Sequence, residues 1–240
     1  MNFNVETRVN EIALSNLGAR RILEDAGVDY CCGGGKSLHE ACLRANVATE
    51  IILRRLQENS DQARPDESGW TKAPLAALTR HILERHHGYV RDVIPRLRGM
   101  LAKVREKHGG NHREVSEIEK SFGDVAREML MHMQKEEQIL FPYIVALERS
   151  ANGADPLEAP IFQTVRNPIY LMMQEHDAAG ELVRKIRTAS NGYQAPTDGC
   201  TTFKAAYQEL QRFEEDLHLH VHLENNILFP RAVELEAATV

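Results

Sequence analysis

The sequence His132-Met-Gln-Lys-Glu136-Glu-Gln-Ile-Leu-Phe-Pro142 recurs near the end of the chain as His220-Val-His-Leu-Glu224-Asn-Asn-Ile-Leu-Phe-Pro230. Both copies read His-x-x-x-Glu-x-x-Ile-Leu-Phe-Pro. Because residues four apart lie on one face of a helix, each copy places a histidine beside a glutamate. A repeat that keeps polar residues in register needs a reason beyond packing.

One further histidine precedes each copy. His87 lies before His132 at almost the same distance as His176 lies before His220, so the second part of the chain consists of two halves with matching histidines. All these polar residues share a helix face with apolar residues at spacings of three and four, which predicts that they point into a core. The set comprises His87, His132, Glu136, His176, His220 and Glu224.

Burial of two carboxylates without partners is costly, and metal cations would satisfy two carboxylates and four imidazoles together. One zinc ion takes about four ligands, whereas this set suits two cations that share two bridging glutamates. Imidazole with carboxylate favours iron or manganese over calcium or magnesium. His86 is a competitor for His87 because it continues another apolar face, and the repeat spacing does not separate the two cleanly. His218 and His222 face away from His220.

Two acidic residues lie close to the predicted ligands. Glu128 precedes His132 by one helical turn, and Glu175 is the neighbour of His176. Each is a candidate for a proton relay or for a hydrogen bond to a ligand, and each is equally compatible with an ordinary surface position.

The chain is predicted to be all-α. Strand signals are nearly absent, and four long helical segments favour an up-down-up-down four-helix bundle. These segments cover about 74–107, 113–148, 161–190 and 201–236, with Pro95, Pro142 and Pro230 expected to kink or end them locally. The predicted domains are a small helical N-terminal domain (1–60), a linker (61–72) and the bundle (73–240). In the N-terminal domain, Asn16 is a predicted helix cap and Ser37 to Glu40 a predicted capping box.

Composition excludes several classes of protein. The 240 residues carry a formal net charge of −6 and no basic patch, which argues against nucleic acid as a partner. No apolar run reaches the roughly 18 residues of a membrane span. The N-terminal residues lack the pattern of a secretory signal, and the four cysteines do not form a disulfide framework. We therefore expect a cytoplasmic protein with free thiols.

The segment Asp29-Tyr-Cys31-Cys32-Gly-Gly-Gly-Lys36-Ser37 is predicted to be a loop before a helix. Lys36 and the helix N-terminus are expected to lower the thiol pKa, which would make nucleophiles or soft metal ligands. The alternative is a buried structural pair. A phosphate-binding loop is rejected because Tyr30 occupies the position of the required earlier glycine. Cys42 and Cys200 are expected to be inert.

These motifs resemble the repair-of-iron-centres (RIC) family of hemerythrin-like di-iron proteins, the YtfE/ScdA/DnrN group, which includes the NorA type. The resemblance rests on Asp29-Tyr-Cys-Cys-Gly-Gly, Trp70 with Ala73-Pro-Leu, Glu175-His-Asp-x-Ala-Gly and both copies of the repeat. It implies an ScdA-like N-terminal domain and a hemerythrin-like bundle holding two non-haem iron ions, oxo- and carboxylate-bridged, and it favours His87 over His86. The triple glycine Gly33-Gly34-Gly35 has one glycine more than this family pattern.

By the same resemblance, the protein acts in repair of iron–sulfur clusters damaged by nitrosative or oxidative stress. Iron donation is our hypothesis for the mechanism. Its implied partners are nitric oxide and damaged iron–sulfur proteins. The oligomeric state is left open, with a homodimer as one option. The alternatives are a nitric-oxide-binding protein and an enzyme, a di-iron nitric oxide reductase. The cysteine pair favours iron donation because simple storage of a gas does not need it.

Overall fold

A computed structural model of the protein describes residues 3–59, 69–154 and 156–239. Within these ranges the regular structure is helical and contains no strand, which confirms the all-α prediction. The chain divides into two compact units, Met1–Pro74 with Val221–Pro230, and Leu75–His220 with Arg231–Val240. Residues 60–68, which include most of the predicted linker, lie outside the described residues.

Four short helices make up most of the first unit: α1 (Val9–Ser15), α2 (Leu17–Asp25), α3 (Leu38–Ala45) and α4 (Thr49–Asn59). The Asn16 side chain accepts a hydrogen bond from the Ala19 N–H at 2.7 Å and caps α2. Ser37 and Glu40 form the reciprocal capping box at the start of α3. Both predicted caps are confirmed. They satisfy N–H groups that a helix start leaves without helical partners.

Four long helices follow. The first consists of α5 (Leu75–His81), a π-helical segment (Ile82–His87) and α6 (Gly88–His108), and the second of α7 (Glu114–Lys135), a π-helical segment (Glu136–Leu140) and α8 (Phe141–Ala151). The third is α9 (Arg166–Ala189), and the fourth consists of α10 (Thr201–Leu223), a π-helical segment (Glu224–Leu228) and α11 (Phe229–Thr239).

The third long helix begins at Arg166, so the predicted start at 161 was wrong. Gln163 has a positive φ of 69°, a left-handed conformation that a helix cannot continue. The Glu236 carboxylate then accepts hydrogen bonds from the Thr164 hydroxyl and the Val165 N–H. A local turn and a distant carboxylate therefore set this helix start, and neither follows from the apolar periodicity.

Packing within the second unit is that of an antiparallel helical bundle. The start of the first long helix (α5) contacts the end of the second (α8), and α6 contacts α7. Helix α7 also packs along α9. The rings of Phe122 and Phe213 meet edge to face at 5.4 Å between centroids, which joins α10 to the same core. Each such fully buried side chain stabilises the bundle by about 1.5–3 kcal/mol relative to an exposed one. The predicted bundle is confirmed.

The three π-helical segments each contain a predicted metal ligand: His87, Glu136 and Glu224. Two of them end just before a proline, Pro142 or Pro230, where the N–H of the preceding phenylalanine bonds to a carbonyl five residues earlier. A proline cannot continue the regular pattern of helical hydrogen bonds, because it lacks an N–H and its ring clashes with the carbonyl four residues back. Single π turns of this kind are frequent at functional sites. Pro95, by contrast, lies inside α6 without ending it.

None of the helices in the described ranges has the length and apolar character needed to cross a bilayer.

Candidate metal centre

The six predicted ligands are all buried, with exposed fractions of 2% or less. Their donor atoms form two overlapping groups in which every atom lies within 4.8 Å of the others. His87 and His220 belong to the first group, and His132 and His176 to the second. Both groups contain the same two carboxylates, Glu136 and Glu224. The fold thus brings together every residue of the predicted ligand set.

The distances between donor atoms fit two cations. The Nε2 atoms of His87 and His220 are 3.2 Å apart, and those of His132 and His176 are 2.9 Å apart. Two nitrogens bound to one metal at about 2.1 Å and at a right angle lie about 3.0 Å apart. Glu136 Oε2 is 3.4 Å from His87 Nε2, whereas its Oε1 is 3.2 Å from His132 Nε2. Each carboxylate oxygen of Glu136 therefore faces a different histidine pair, as a bridging ligand must.

Two carboxylates orient the imidazole rings. His87 Nδ1 donates to Glu137 at 2.7 Å, and His132 Nδ1 donates to Glu175 at 2.8 Å. A proton held at Nδ1 leaves the lone pair of Nε2 directed into the cluster, which is the tautomer that binds a metal. Arg91 forms an ion pair with Glu137, and Lys135 forms one with Glu175.

These contacts keep both orienting carboxylates ionised. The hydrogen bond from His132, with that from Lys135, lowers the pKa of Glu175 to about 2. Burial opposes ionisation of Glu137, but hydrogen bonds from Arg91 and His87 outweigh it and lower its pKa.

The sequence indicated Glu175 because it adjoins a ligand. Glu137 adjoins Glu136 in the same way and was missed, although the same criterion applied to every ligand would have found it.

Other candidates lie outside the two groups. His86 is buried, but its Nδ1 pairs with Asp216 at 3.1 Å and its ring stacks on His220. His222 is also fully buried and hydrogen-bonds Asn226 at 2.9 Å. Glu128 is half-buried and makes no hydrogen bond or ion pair with the residues that the structure describes. The geometry thus groups His87 rather than His86 with the other donors.

The cysteine pair lies in a loop organised by Asp29. One oxygen of Asp29 accepts hydrogen bonds from the backbone N–H groups of Cys31 and Cys32, at 3.1 and 2.9 Å, and the other from that of Gly33 at 3.0 Å. Cys31 is 3% exposed and Cys32 is half-buried. Neither sulfur is in a disulfide bond, and the two sulfurs lie 3.8 Å apart.

The prediction of lowered thiol pKa values was wrong for Cys31. Its hydrogen bond to Cys32, its burial and the nearby Cys32 and Asp29 raise the pKa of the Cys31 thiol well above its ordinary value. Desolvation and like charge thus outweigh any effect of Lys36 and of the helix N-terminus.

Two asparagines that sequence reasoning did not single out hold this loop. Asn225 donates from its amide to the Cys31 carbonyl at 3.2 Å, and Asn226 donates to the Tyr30 carbonyl at 3.1 Å. They directly follow Glu224 in the repeat, where the first copy has Glu137 and Gln138. This departure from the repeat is the sequence feature that could have indicated a separate role for the two asparagines.

The two remaining cysteines differ from each other. Burial raises the pKa of Cys42, in agreement with an inert thiol. The pKa of Cys200 is lowered to about 7 by hydrogen bonds from the Phe203 backbone and the His108 side chain, which contradicts the expectation that it is inert.

An antiparallel helical bundle with buried, paired histidine–glutamate groups defines a hemerythrin-like metal-binding protein. Comparison with known families agrees: residues 78–232 match the hemerythrin HHE cation binding domain, and residues 5–60 match ScdA_N, a domain of unknown function (DUF542). A hemerythrin-like domain implies iron binding.

The curated relatives include the iron-sulfur cluster repair protein YtfE of Escherichia coli (strain K12 / DH10B) and that of Shigella boydii serotype 4 (strain Sb227). Each is 36% identical over 225 residues, which cover 94% of this chain and 96% of the relative. The chain therefore belongs to the RIC family of hemerythrin-like proteins, which confirms the resemblance read from its motifs.

Proposed function

We propose that this protein repairs damaged iron–sulfur clusters by supplying iron from a carboxylate-bridged di-iron centre. The observation that carries the proposal is the Glu136 carboxylate, whose two oxygens face separate histidine pairs. Its relatives are named iron-sulfur cluster repair proteins, and this name supplies the process.

In this proposal, one iron ion is held by His87 and His220 and the other by His132 and His176, with Glu136 and Glu224 shared between them. Donors of nitrogen and oxygen suit iron, and two shared carboxylates suit two ions better than one zinc ion. When bound, the pair of ions supplies a store of labile iron, and an oxo bridge completes the proposed resting state.

Release of iron frees the Nε2 atoms of the histidines, and each ring can then change its protonation state. Glu175 is suited to exchange the Nδ1 proton of His132 with solvent, because it accepts a hydrogen bond from that nitrogen while its side chain is 38% exposed. Glu137 stands in the same relation to His87, with a side chain that is 27% exposed. These two residues therefore connect one histidine of each pair to solvent. We assign no such role to Glu128, since it makes no hydrogen bond to the described ligands.

The proposed clients are iron–sulfur proteins of the cytoplasm whose clusters nitric oxide has damaged. The test loads the full-length protein with ⁵⁷Fe and mixes it with a hydratase whose [4Fe–4S] cluster has been treated with nitric oxide. Mössbauer spectra of the repurified client and its regained activity are measured. We expect ⁵⁷Fe in the client cluster.

Metal-free protein and the Glu136→Ala variant are the controls, and neither should restore activity. Equal recovery with metal-free protein, or ⁵⁷Fe that stays with the donor, would refute iron donation. Nitrous oxide in the headspace over many turnovers, without transfer of ⁵⁷Fe, would instead assign the centre to nitric oxide reduction.

A further inference from the structure

The loop of Asp29, Cys31 and Cys32 gathers three possible metal ligands in one short stretch of chain. The two sulfurs and a carboxylate oxygen of Asp29 all lie within 4.8 Å of one another. The geometry points to a second metal site at this loop, formed by the two thiolates and the carboxylate and suited to a divalent transition-metal cation such as Fe²⁺.

The distances are those of a tetrahedral site. Metal–sulfur bonds of about 2.3 Å at the tetrahedral angle place two sulfurs about 3.8 Å apart, and a bound carboxylate oxygen lies about 3.6 Å from each sulfur. The sulfurs of Cys31 and Cys32 are 3.8 Å apart, and Asp29 Oδ1 lies 3.4 Å from the Cys31 sulfur. Adjacent residues in extended chain point to opposite sides, so only a folded loop can bring these two sulfurs together.

The loop holds the three ligands in place before any cation arrives. Three backbone N–H groups, those of Cys31, Cys32 and Gly33, fix the orientation of the Asp29 carboxylate. The carboxylate is thereby held beside the two thiols as the third donor of the group. At Gly34 a Cβ atom would lie only 2.7 Å from the Tyr30 carbonyl oxygen, so the turn requires glycine.

A cation would also relieve the crowding of acidic groups. Binding of M²⁺ by two thiols forms two metal–sulfur bonds and releases two protons, with no change of oxidation state. Cys32 and Asp29 are half-buried, so a cation and a fourth ligand can approach from solvent. An open fourth position suits a cation in transit.

The loop is fastened to the segment that begins with Glu224. The side-chain amides of Asn225 and Asn226 donate to the carbonyls of Cys31 and Tyr30, so two hydrogen bonds join the proposed thiolate site to the residues that follow a proposed iron ligand. The assignment of this site as the first acceptor of iron released from the bridged centre rests on the proposed function. The metal site itself does not.

Cobalt(II) is the probe, because thiolate-to-cobalt charge transfer gives near-ultraviolet absorption that nitrogen and oxygen ligands do not. The iron-loaded, full-length protein is titrated with Co²⁺ under anaerobic conditions. We expect one Co²⁺ per chain with thiolate ligation in the wild type and in the control Cys200→Ser. Groups that only orient a ligand contribute roughly 10–100-fold to metal affinity, so loss of a ligand in Cys31→Ser or Cys32→Ser should weaken binding at least that much.

The Asp29→Asn variant retains one oxygen for the N–H groups of Cys31 and Cys32 and should also bind Co²⁺ more weakly, with an unchanged circular dichroism spectrum. Unaltered thiolate absorption in the Cys31→Ser/Cys32→Ser double variant, or its absence in the wild type, would overturn the site. Cluster repair at the wild-type rate by Cys32→Ser would overturn the acceptor role alone. Absence of repair by wild-type protein that binds Co²⁺ normally would overturn the proposed function and leave the site standing.

Discussion

Glu175→Gln separates the orienting role of a carboxylate from its contribution to packing. Gln retains an oxygen that can accept the Nδ1–H of His132, at the position where Glu175 now accepts it at 2.8 Å. It removes a full negative charge, since a pKa of about 2 keeps Glu175 ionised at neutral pH. His132 then becomes a poorer electron donor to the cation at Nε2. Loss of such a partner costs roughly 10–100-fold in metal affinity, which corresponds to about 1.4–2.8 kcal/mol.

The stability of the fold should change far less. The ion pair that the substitution also removes, between Glu175 and Lys135, has side chains 38% and 42% exposed, and such pairs contribute about 0–1 kcal/mol. The assay is anaerobic removal of Fe²⁺ by a colorimetric chelator, with thermal unfolding of the metal-free protein measured in parallel. Glu181→Gln is the matched control, because it breaks an exposed pair with Arg184 on the same helix. If Glu175→Gln and Glu181→Gln release iron at the same chelator concentration, the orienting role of Glu175 is wrong.

Three further results are expected. His218→Ala should leave the iron content unchanged, because His218 belongs to neither donor group, and a large loss measured by atomic emission would show that the ligand set is misassigned. The rate of Cys200 alkylation, followed by peptide mass spectrometry, should rise with pH as the thiolate forms and reach half its limiting value near pH 7. His108→Gln should move this midpoint to higher pH, and reaction of Cys200 only above pH 8.5 would contradict the lowered pKa. Gly34→Ala should lower the free energy of unfolding by about 1–3 kcal/mol, because its Cβ meets the Tyr30 carbonyl, and unchanged urea denaturation would contradict that.

The sequence predicted the parts of the centre that follow from periodicity. Helix spacing alone put His132 beside Glu136 and His220 beside Glu224, and the repeat extended the set to His87 and His176. Competition between His86 and His87 was not resolved by spacing, because both continue apolar faces. In the structure both are buried, but His87 belongs to a donor group, whereas His86 pairs with Asp216, a residue far away in sequence.

Features that depend on tertiary contacts were not predicted. The π-helical turns before Pro142 and Pro230 shift the helical register by one residue, and a pattern based on a regular helix does not include such a shift. The thiol of Cys31 was expected to be acidic from its neighbours in sequence, but its hydrogen bond to Cys32, its burial and the nearby Asp29 carboxylate raise its pKa. Asn225 and Asn226 contact residues that lie almost two hundred positions earlier in the sequence, and no local pattern predicts such a contact.

The central claim is a di-iron centre in which two glutamates bridge the ions. Iron per chain is the most direct test, measured by atomic emission together with the Mössbauer spectrum of full-length protein purified after growth with ⁵⁷Fe. We expect two antiferromagnetically coupled irons per chain in the wild type, and well under two in both Glu136→Ala and Glu224→Ala. A single uncoupled iron in the wild type, or two irons retained in both variants, would contradict it.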